Sequence, residues 1–177
     1  NRLYQNTDGS FVNTDNAVTI DNRSSTGSSW ADYDNDGDFD LFVANFSNQN
    51  NQLFRNDGDG SFTAITTGSQ SLDGGCSFGS GFADFDNDGD DDLYCVNGNN
   101  DYNIFGHIVP GSELLDVDSG NVVGEKGRYY FFNHSHQSNV FFVNESGQLK
   151  NRSLASGADF VANSRSSAYI DMDHDGD

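Results

Sequence analysis

The chain has 177 residues and a net charge of −20, from 8 basic and 28 acidic side chains, with 34% hydrophobic residues, 20 Gly, 15 Phe and one Pro. The acidic excess excludes a nucleic-acid partner, which needs clustered Lys and Arg. The scarcity of aliphatic runs excludes a large helical core, and no run of about 18 apolar residues marks a membrane span. Short aromatic segments punctuated by Gly and Asn point to strands joined by many turns.

In chain order, the first element is Leu3-Tyr4-Gln5-Asn6-Thr7-Asp8-Gly9-Ser10-Phe11, a strand, turn and strand. The second is Trp30-Ala31-Asp32-Tyr33-Asp34-Asn35-Asp36-Gly37-Asp38-Phe39-Asp40-Leu41. The first then returns as Leu53-Phe54-Arg55-Asn56-Asp57-Gly58-Asp59-Gly60-Ser61-Phe62, and the second as Phe82-Ala83-Asp84-Phe85-Asp86-Asn87-Asp88-Gly89-Asp90-Asp91-Asp92-Leu93. A weaker copy of the first runs over Phe141-Phe142-Val143-Asn144-Glu145-Ser146-Gly147-Gln148-Leu149, and the second begins again at Tyr169-Ile170-Asp171 and continues to Asp177. Asn6 to Asn56 is 50 residues and Asp32 to Asp84 is 52, whereas Asn56 to Asn144 is 88 and Asp84 to Asp171 is 87. The period is therefore about 50 residues, interrupted by one insertion of roughly 36.

Each period holds four strand candidates, which in the middle repeat are Leu53–Asn56, Phe62–Ile65, Phe78–Phe85 and Leu93–Val96. Asp57-Gly58-Asp59-Gly60 reads as a hairpin turn, with Gly supplying positive φ. Four strands in about 50 residues is the size of one β-propeller blade. The expected fold is all-β: blades of four antiparallel strands, about three of them incomplete, within a larger propeller. The expected boundaries are the end of a blade at 1–26, a blade at 27–77, a blade with the insertion at 78–168 and the start of the next at 169–177. The chain opens inside one repeat and stops inside another, the pattern expected of a segment of a longer protein. The insertion, about 99–135, holds Pro110, a helical turn near Ser112–Leu115 and the aromatic run Tyr129-Tyr130-Phe131-Phe132. It reads as a flap packed over its own blade or as a surface for a ligand or partner.

Fourteen of the 28 acids fall in the three Asp loops at alternate positions. The pattern Asp-x-Asp-x-Asp-Gly-Asp-x-Asp suits calcium, which takes six to eight hard oxygen ligands. Carboxylates at positions 1, 3 and 5 turn toward one centre, Gly at position 6 permits the bend, position 7 offers a backbone oxygen, and a carboxylate at position 9 closes the sphere. Expected side-chain ligands are Asp32, Asp34, Asp36 and Asp40 in one site and Asp84, Asp86, Asp88 and Asp92 in another. Asp38 and Asp90 give backbone oxygen, with their side chains facing solvent. Asp171, Asp173, Asp175 and Asp177 begin a third site, in which His174 occupies position 4 and points away from the ion. Without a cation, carboxylates this close repel and raise one another's pKa. Magnesium fits less well, because it demands a strict octahedron and keeps several waters.

Other signals are weaker. Gly75-Cys76-Ser77-Phe78-Gly79 matches a nucleophile-elbow string but leads into a strand rather than a helix, and Ser77 aligns with Ser25 in an ordinary linker. His134-Ser135-His136 supplies two metal ligands, too few for a site. Cys76 and Cys95 form a disulfide or sit as two small apolar groups. Sequons for N-glycosylation stand at Asn22, Asn45, Asn133, Asn144 and Asn151.

Leu53 to Thr63, and Ala83 to Asp90 followed by Asp92-Leu93-Tyr94, resemble the VCBS/FG-GAP family of calcium-binding propeller repeats, most closely the group with ASPIC/UnbV-type domains. Gly106-His107-Ile108 with Pro110 resembles the insertion those proteins carry. The resemblance implies a secreted or cell-surface, often seven-bladed propeller with integrin-α-like calcium loops, serving adhesion, matrix or assembly. The expected function is an extracellular scaffold, not an enzyme, that binds a protein or glycan partner and is stapled by structural calcium. Two alternatives are a subunit of an extracellular homopolymer and part of a polysaccharide-active enzyme, for which Glu113, Asp116, Asp118 and Glu125 are the nearby carboxylates.

Overall fold

The computed structural model describes residues 1–46, 49–68, 77–98, 137–162 and 164–170. The insertion, Cys76, Asn133, His134 to His136 and the third Asp loop from Asp171 to Asp177 lie outside the described residues, and so do the expectations placed on them. The fold is all-β. A hairpin pairs β1 (Leu3–Thr7) with β2 (Ser10–Thr14). A four-stranded antiparallel sheet follows in the order β3 (Ser25–Ala31), β4 (Asp40–Asn45), β5 (Gln52–Asn56) and β6 (Phe62–Ile65). The second sheet holds β7 (Ser77–Ala83), β8 (Asp92–Asn97), β10 (Val140–Asn144) and β11 (Leu149–Asn151), also antiparallel and again paired in chain order. Short β9 (Gln137–Ser138) pairs with β12 (Val161–Ala162), and a single helical turn, α1 (Ser153–Ser156), lies between β11 and β12.

The expected strands are present. Those counted from Leu53 as one period are shared between two sheets, because β5 and β6 finish one sheet and β7 and β8 start the next. The strand expected to reach Phe85 ends at Ala83. There the carboxylate of Asp84 accepts the N–H groups of Asp88 and Gly89 at 3.1 and 2.9 Å and turns the chain out of the ladder.

Side-chain alternation explains the packing. β4 carries Leu41, Phe42, Val43 and Ala44 in succession, a run that only a strand covered on both faces can bury. Leu41 and Val43 pack with Val18 and Phe54 on one side. Phe42 and Ala44 point the other way, into a core shared with Leu53 of the same sheet and Leu93, Cys95, Val140, Phe142 and Leu149 of the second. The sheets thus stack face to face through one apolar layer.

Their first strands come closest. A Cβ on Gly27 would stand 3.0 Å from the Phe78 carbonyl oxygen and 3.3 Å from the Gly79 Cα, so the backbones approach closely enough that a side chain there would have to push its neighbour back by a few tenths of an ångström. Thr26 Oγ1 donates to the Ser77 carbonyl at 2.6 Å, and the Ser29 and Ser80 hydroxyls meet at 2.7 Å. One period later Gly79 faces the Arg165 carbonyl, which would stand in ordinary contact at 3.4 Å from its would-be Cβ. Residues 164–170 therefore lie along β7 as β7 lies along β3.

Candidate metal centre

The Asp loops join the first two strands of each sheet and repeat one another bond for bond. In the first loop, Asp32 accepts the N–H of Asp36 at 3.0 Å and of Gly37 at 2.9 Å, and Asp36 accepts that of Asp38 at 3.0 Å. In the second, Asp84 accepts Asp88 and Gly89, and Asp88 accepts Asp90 at 2.9 Å. The bend needs two left-handed residues per loop. Gly37 and Gly89 have φ of 96° and 95°, and Asn35 and Asn87 have 57° and 58°. The glycines were legible from the sequence. Asn at position 4 takes the second left-handed place, a conformation that Asn tolerates better than most residues.

The position-9 carboxylates are the deepest. Asp40 and Asp92 are 1% and 0% exposed. Asp40 accepts the N–H of Tyr33 at 3.1 Å and of Asn56 at 2.7 Å, and Asp92 accepts those of Phe85 at 3.3 Å and Asn144 at 2.7 Å. Each ties its loop to the hairpin at the far side of the same sheet. Burial dominates their titration and pushes both up to about 6, against the lowering effect of the N–H donors. Burial likewise raises Asp34, with Asp36 adding repulsion, and raises the Tyr33 hydroxyl to about 12, with Asp34 and Asp40 adding to it.

In the first loop, carboxylate oxygens of Asp32, Asp34 and Asp40 lie within 4.8 Å of one another. In the second, those of Asp84, Asp86 and Asp88 do so. Asp36 and Asp92 fall outside these triples, though each has a counterpart inside the other. Asp34 Oδ1 is buried and has no hydrogen-bond partner among the described residues. A hard cation among these oxygens would satisfy that atom and offset the crowding, so the residues present fit calcium.

Asp38 and Asp90 depart from expectation. Their side chains are half-buried rather than turned to solvent. The Asp90 carboxylate accepts Asn35 Nδ2 at 2.5 Å and the Ser146 N–H at 3.0 Å. Asp38 Oδ2 would stand 2.7 Å from a Cβ on Gly58, in the hairpin of its own sheet.

A second asparagine network escaped the sequence reading. Asn45 and Asn97 end β4 and β8, and each is 0–2% exposed. Asn45 N–H donates to Asn51 Oδ1 at 2.8 Å, its Nδ2 donates to the Asn50 carbonyl at 2.8 Å, and its Oδ1 accepts from Ser25 Oγ at 2.9 Å. Asn97 repeats this with Asn139, Ser138 and Ser77 at 2.9, 3.0 and 2.7 Å. The repeating spacing of these asparagines was the available signal. Ser25 and Ser77, expected in linkers, are instead the first residues of β3 and β7. Ser77 is fully buried and also accepts from Asn51 Nδ2 at 2.9 Å, so its hydroxyl serves the sheet junction. Of the sequons, Asn45 and Asn144 are 0% exposed, whereas Asn22 and Asn151 are exposed.

No curated protein matches the chain. Residues 32–95 match the family model of the FG-GAP-like repeat, a stretch that begins just after β3, holds both described Asp loops and runs into β8. Over that stretch the chain is similar to an FG-GAP-like repeat, and each of the two four-stranded antiparallel sheets has one Asp loop between its first two strands.

Proposed function

We infer that the chain is part of an extracellular β-propeller scaffold whose Asp loops hold structural calcium. The buried, unpartnered Asp34 Oδ1 inside a carboxylate triple carries this reading, because a cation accounts for both the burial and the crowding. The side chains that would hold it are those of Asp32, Asp34 and Asp40 in the first loop and of Asp84, Asp86 and Asp88 in the second, with Asp36 and Asp92 at the margins. Calcium supplies positive charge at the turn that opens each sheet, and so fixes the entry of β4 and β8. Among the described residues no helix is long and apolar enough to cross a membrane. The scaffold serves binding or assembly toward a protein or glycan partner.

Thermal unfolding in EDTA against 2 mM calcium tests this. At about a hundredfold excess over Kd one site adds roughly 2.7 kcal/mol, so Tm should rise by about 5–10 °C. Magnesium at equal concentration should give less. An unchanged Tm would refute the reading.

A specific observation supports joining to a further sheet. A cleft of about 550 Å³ opens beside β7, lined by Phe85, Tyr94, Phe141 and Tyr169. The first three are half-buried, yet their repeat counterparts Tyr33, Phe42 and Leu53 are 5%, 0% and 0% exposed because the second sheet covers them. Another sheet of this kind, in the same polypeptide or in a neighbouring copy, would fill the cleft. Sedimentation separates the two sources: self-association at micromolar concentration favours a neighbouring copy, and a discrete monomer argues against it.

A further inference from the structure

The first Asp loop is not enclosed by its own sheet. The hairpin joining β10 to β11, in the second sheet, lies over it. A Cβ on Gly147 would stand 3.4 Å from the Asp34 Cβ and 3.7 Å from its Cα, so the hairpin backbone rests directly on the residue whose Oδ1 is buried and unpartnered. Asn144 Nδ2 reaches across to the Tyr33 carbonyl at 2.7 Å and fixes the chain one residue earlier. Asn35, one residue later, donates to Asp90, which also accepts the Ser146 N–H of the same hairpin. Residues 33, 34 and 35 are thus each held by the neighbouring sheet. The second loop lacks such a cover among the described residues: Asp86, the counterpart of Asp34, is exposed.

We propose that the first loop is a two-sheet cation site, in which the β10–β11 hairpin positions Asp34 and makes occupancy of the loop depend on docking of the second sheet. The proposal rests on the calcium reading above and adds Asn35, Asp90, Asn144 and Gly147 as positioning residues. Groups that orient ligands from behind usually alter metal affinity by about 10–100-fold when removed. A site closed by a neighbouring sheet is also better ordered before the ion arrives, so the first loop binds more tightly than the second. Occupied, it links consecutive sheets that otherwise meet through apolar packing and a few hydrogen bonds.

The test is calorimetric titration of calcium into the EDTA-stripped full chain carrying Asp86→Asn, which leaves the first loop as the tighter site. Gly147→Leu should weaken it by about tenfold, because its side chain must extend beyond a Cβ that already touches Asp34 at 3.4 Å. Gly9→Leu is the control. Gly9 holds the same place in the β1–β2 hairpin with φ of 85° against 81° for Gly147, but nothing lies within 4 Å of its would-be Cβ. Both variants carry the same backbone strain, and only at Gly147 does the longer side chain have to displace Asp34. Asn35→Gly keeps the left-handed backbone and removes only the amide bridge to Asp90, with an expected loss of about fivefold; it decides the matter if Gly147→Leu does not fold. If Asp86→Asn binds calcium and neither Gly147→Leu nor Asn35→Gly differs from Gly9→Leu, the two-sheet site is overturned and the scaffold reading stands. If the wild-type chain binds no calcium, both fall.

Discussion

Three asparagines occupy the same place in successive hairpins, and their side chains do graded amounts of work. Asn6 Oδ1 accepts the Gly9 N–H at 2.9 Å, within an exposed turn. Asn56 accepts the Gly58 N–H at 3.1 Å and donates to the Phe39 carbonyl at 3.2 Å. Asn144 accepts the Gly147 N–H at 2.9 Å, donates to the Asp91 carbonyl at 3.1 Å, and adds a bond to the buried Tyr33 carbonyl of the other sheet at 2.7 Å. A partly exposed hydrogen bond contributes about 1 kcal/mol net, and a buried acceptor left without a donor costs about 1–3 kcal/mol. Substitution by Ala should therefore destabilise by about 1 kcal/mol at Asn6, about 2 at Asn56 and about 4 at Asn144. Equilibrium urea unfolding in EDTA reads the series without calcium. With a slope near 2 kcal/mol/M, the midpoint should fall by about 0.5, 1 and 2 M. Equal losses at Asn56 and Asn144 would refute the argument that the bond to Tyr33 joins the sheets.

Further predictions concern the same groups. Asn22 and Asn151 should accept glycan when the chain is secreted from a eukaryotic cell, and Asn45 and Asn144 should remain bare, because both are fully buried and hydrogen-bonded; glycopeptide mass spectrometry checks this. Asp40 and Asp92 titrate near 6 when folded, above the ordinary value of 3.8, so the folded protein takes up these protons first. Their contribution to stability is present below about pH 4 and is lost as pH rises through about 6. The calcium-free protein should accordingly melt higher at pH 5 than at pH 7, while calcium affinity falls over the same interval because protons compete for the carboxylates. Asp57, Asp59 and Glu145, held low by hydrogen-bond donors, act in the opposite sense and only at more acidic pH. Gly27→Ala should destabilise by about 1–3 kcal/mol by pushing the Phe78 backbone. Gly81→Ala, whose Cβ would meet only Ser167 Oγ at 3.9 Å, should cost well under half as much in the same urea assay.

The sheets were legible because the apolar run of β4 and the Gly-punctuated hairpins leave few alternatives to strands. The first Asp loop was legible as a set, since alternate carboxylates with Gly at position 6 have one sensible geometry. Its cover was not legible. Gly147 lies 113 residues after Asp34 and sits in the weakest copy of the hairpin motif, yet that hairpin forms with Ser146 and Gly147 at φ of 54° and 81°, like Asp8 and Gly9 at 52° and 85°. Nor did spacing reveal that the Asp90 side chain faces Asn35 rather than solvent, because that contact arises only when two sheets stack. Local pattern fixes the turn, whereas the partner of a side chain across an interface depends on packing that no single repeat contains.

Metal analysis after dialysis against calcium and removal of free ion tests the central claim most directly. The wild-type chain should retain at least two calcium ions, one for each described loop, and the double variant Asp34→Asn with Asp86→Asn should retain two fewer. A wild type that retains none, or a double variant that retains as many as the wild type, would contradict the account.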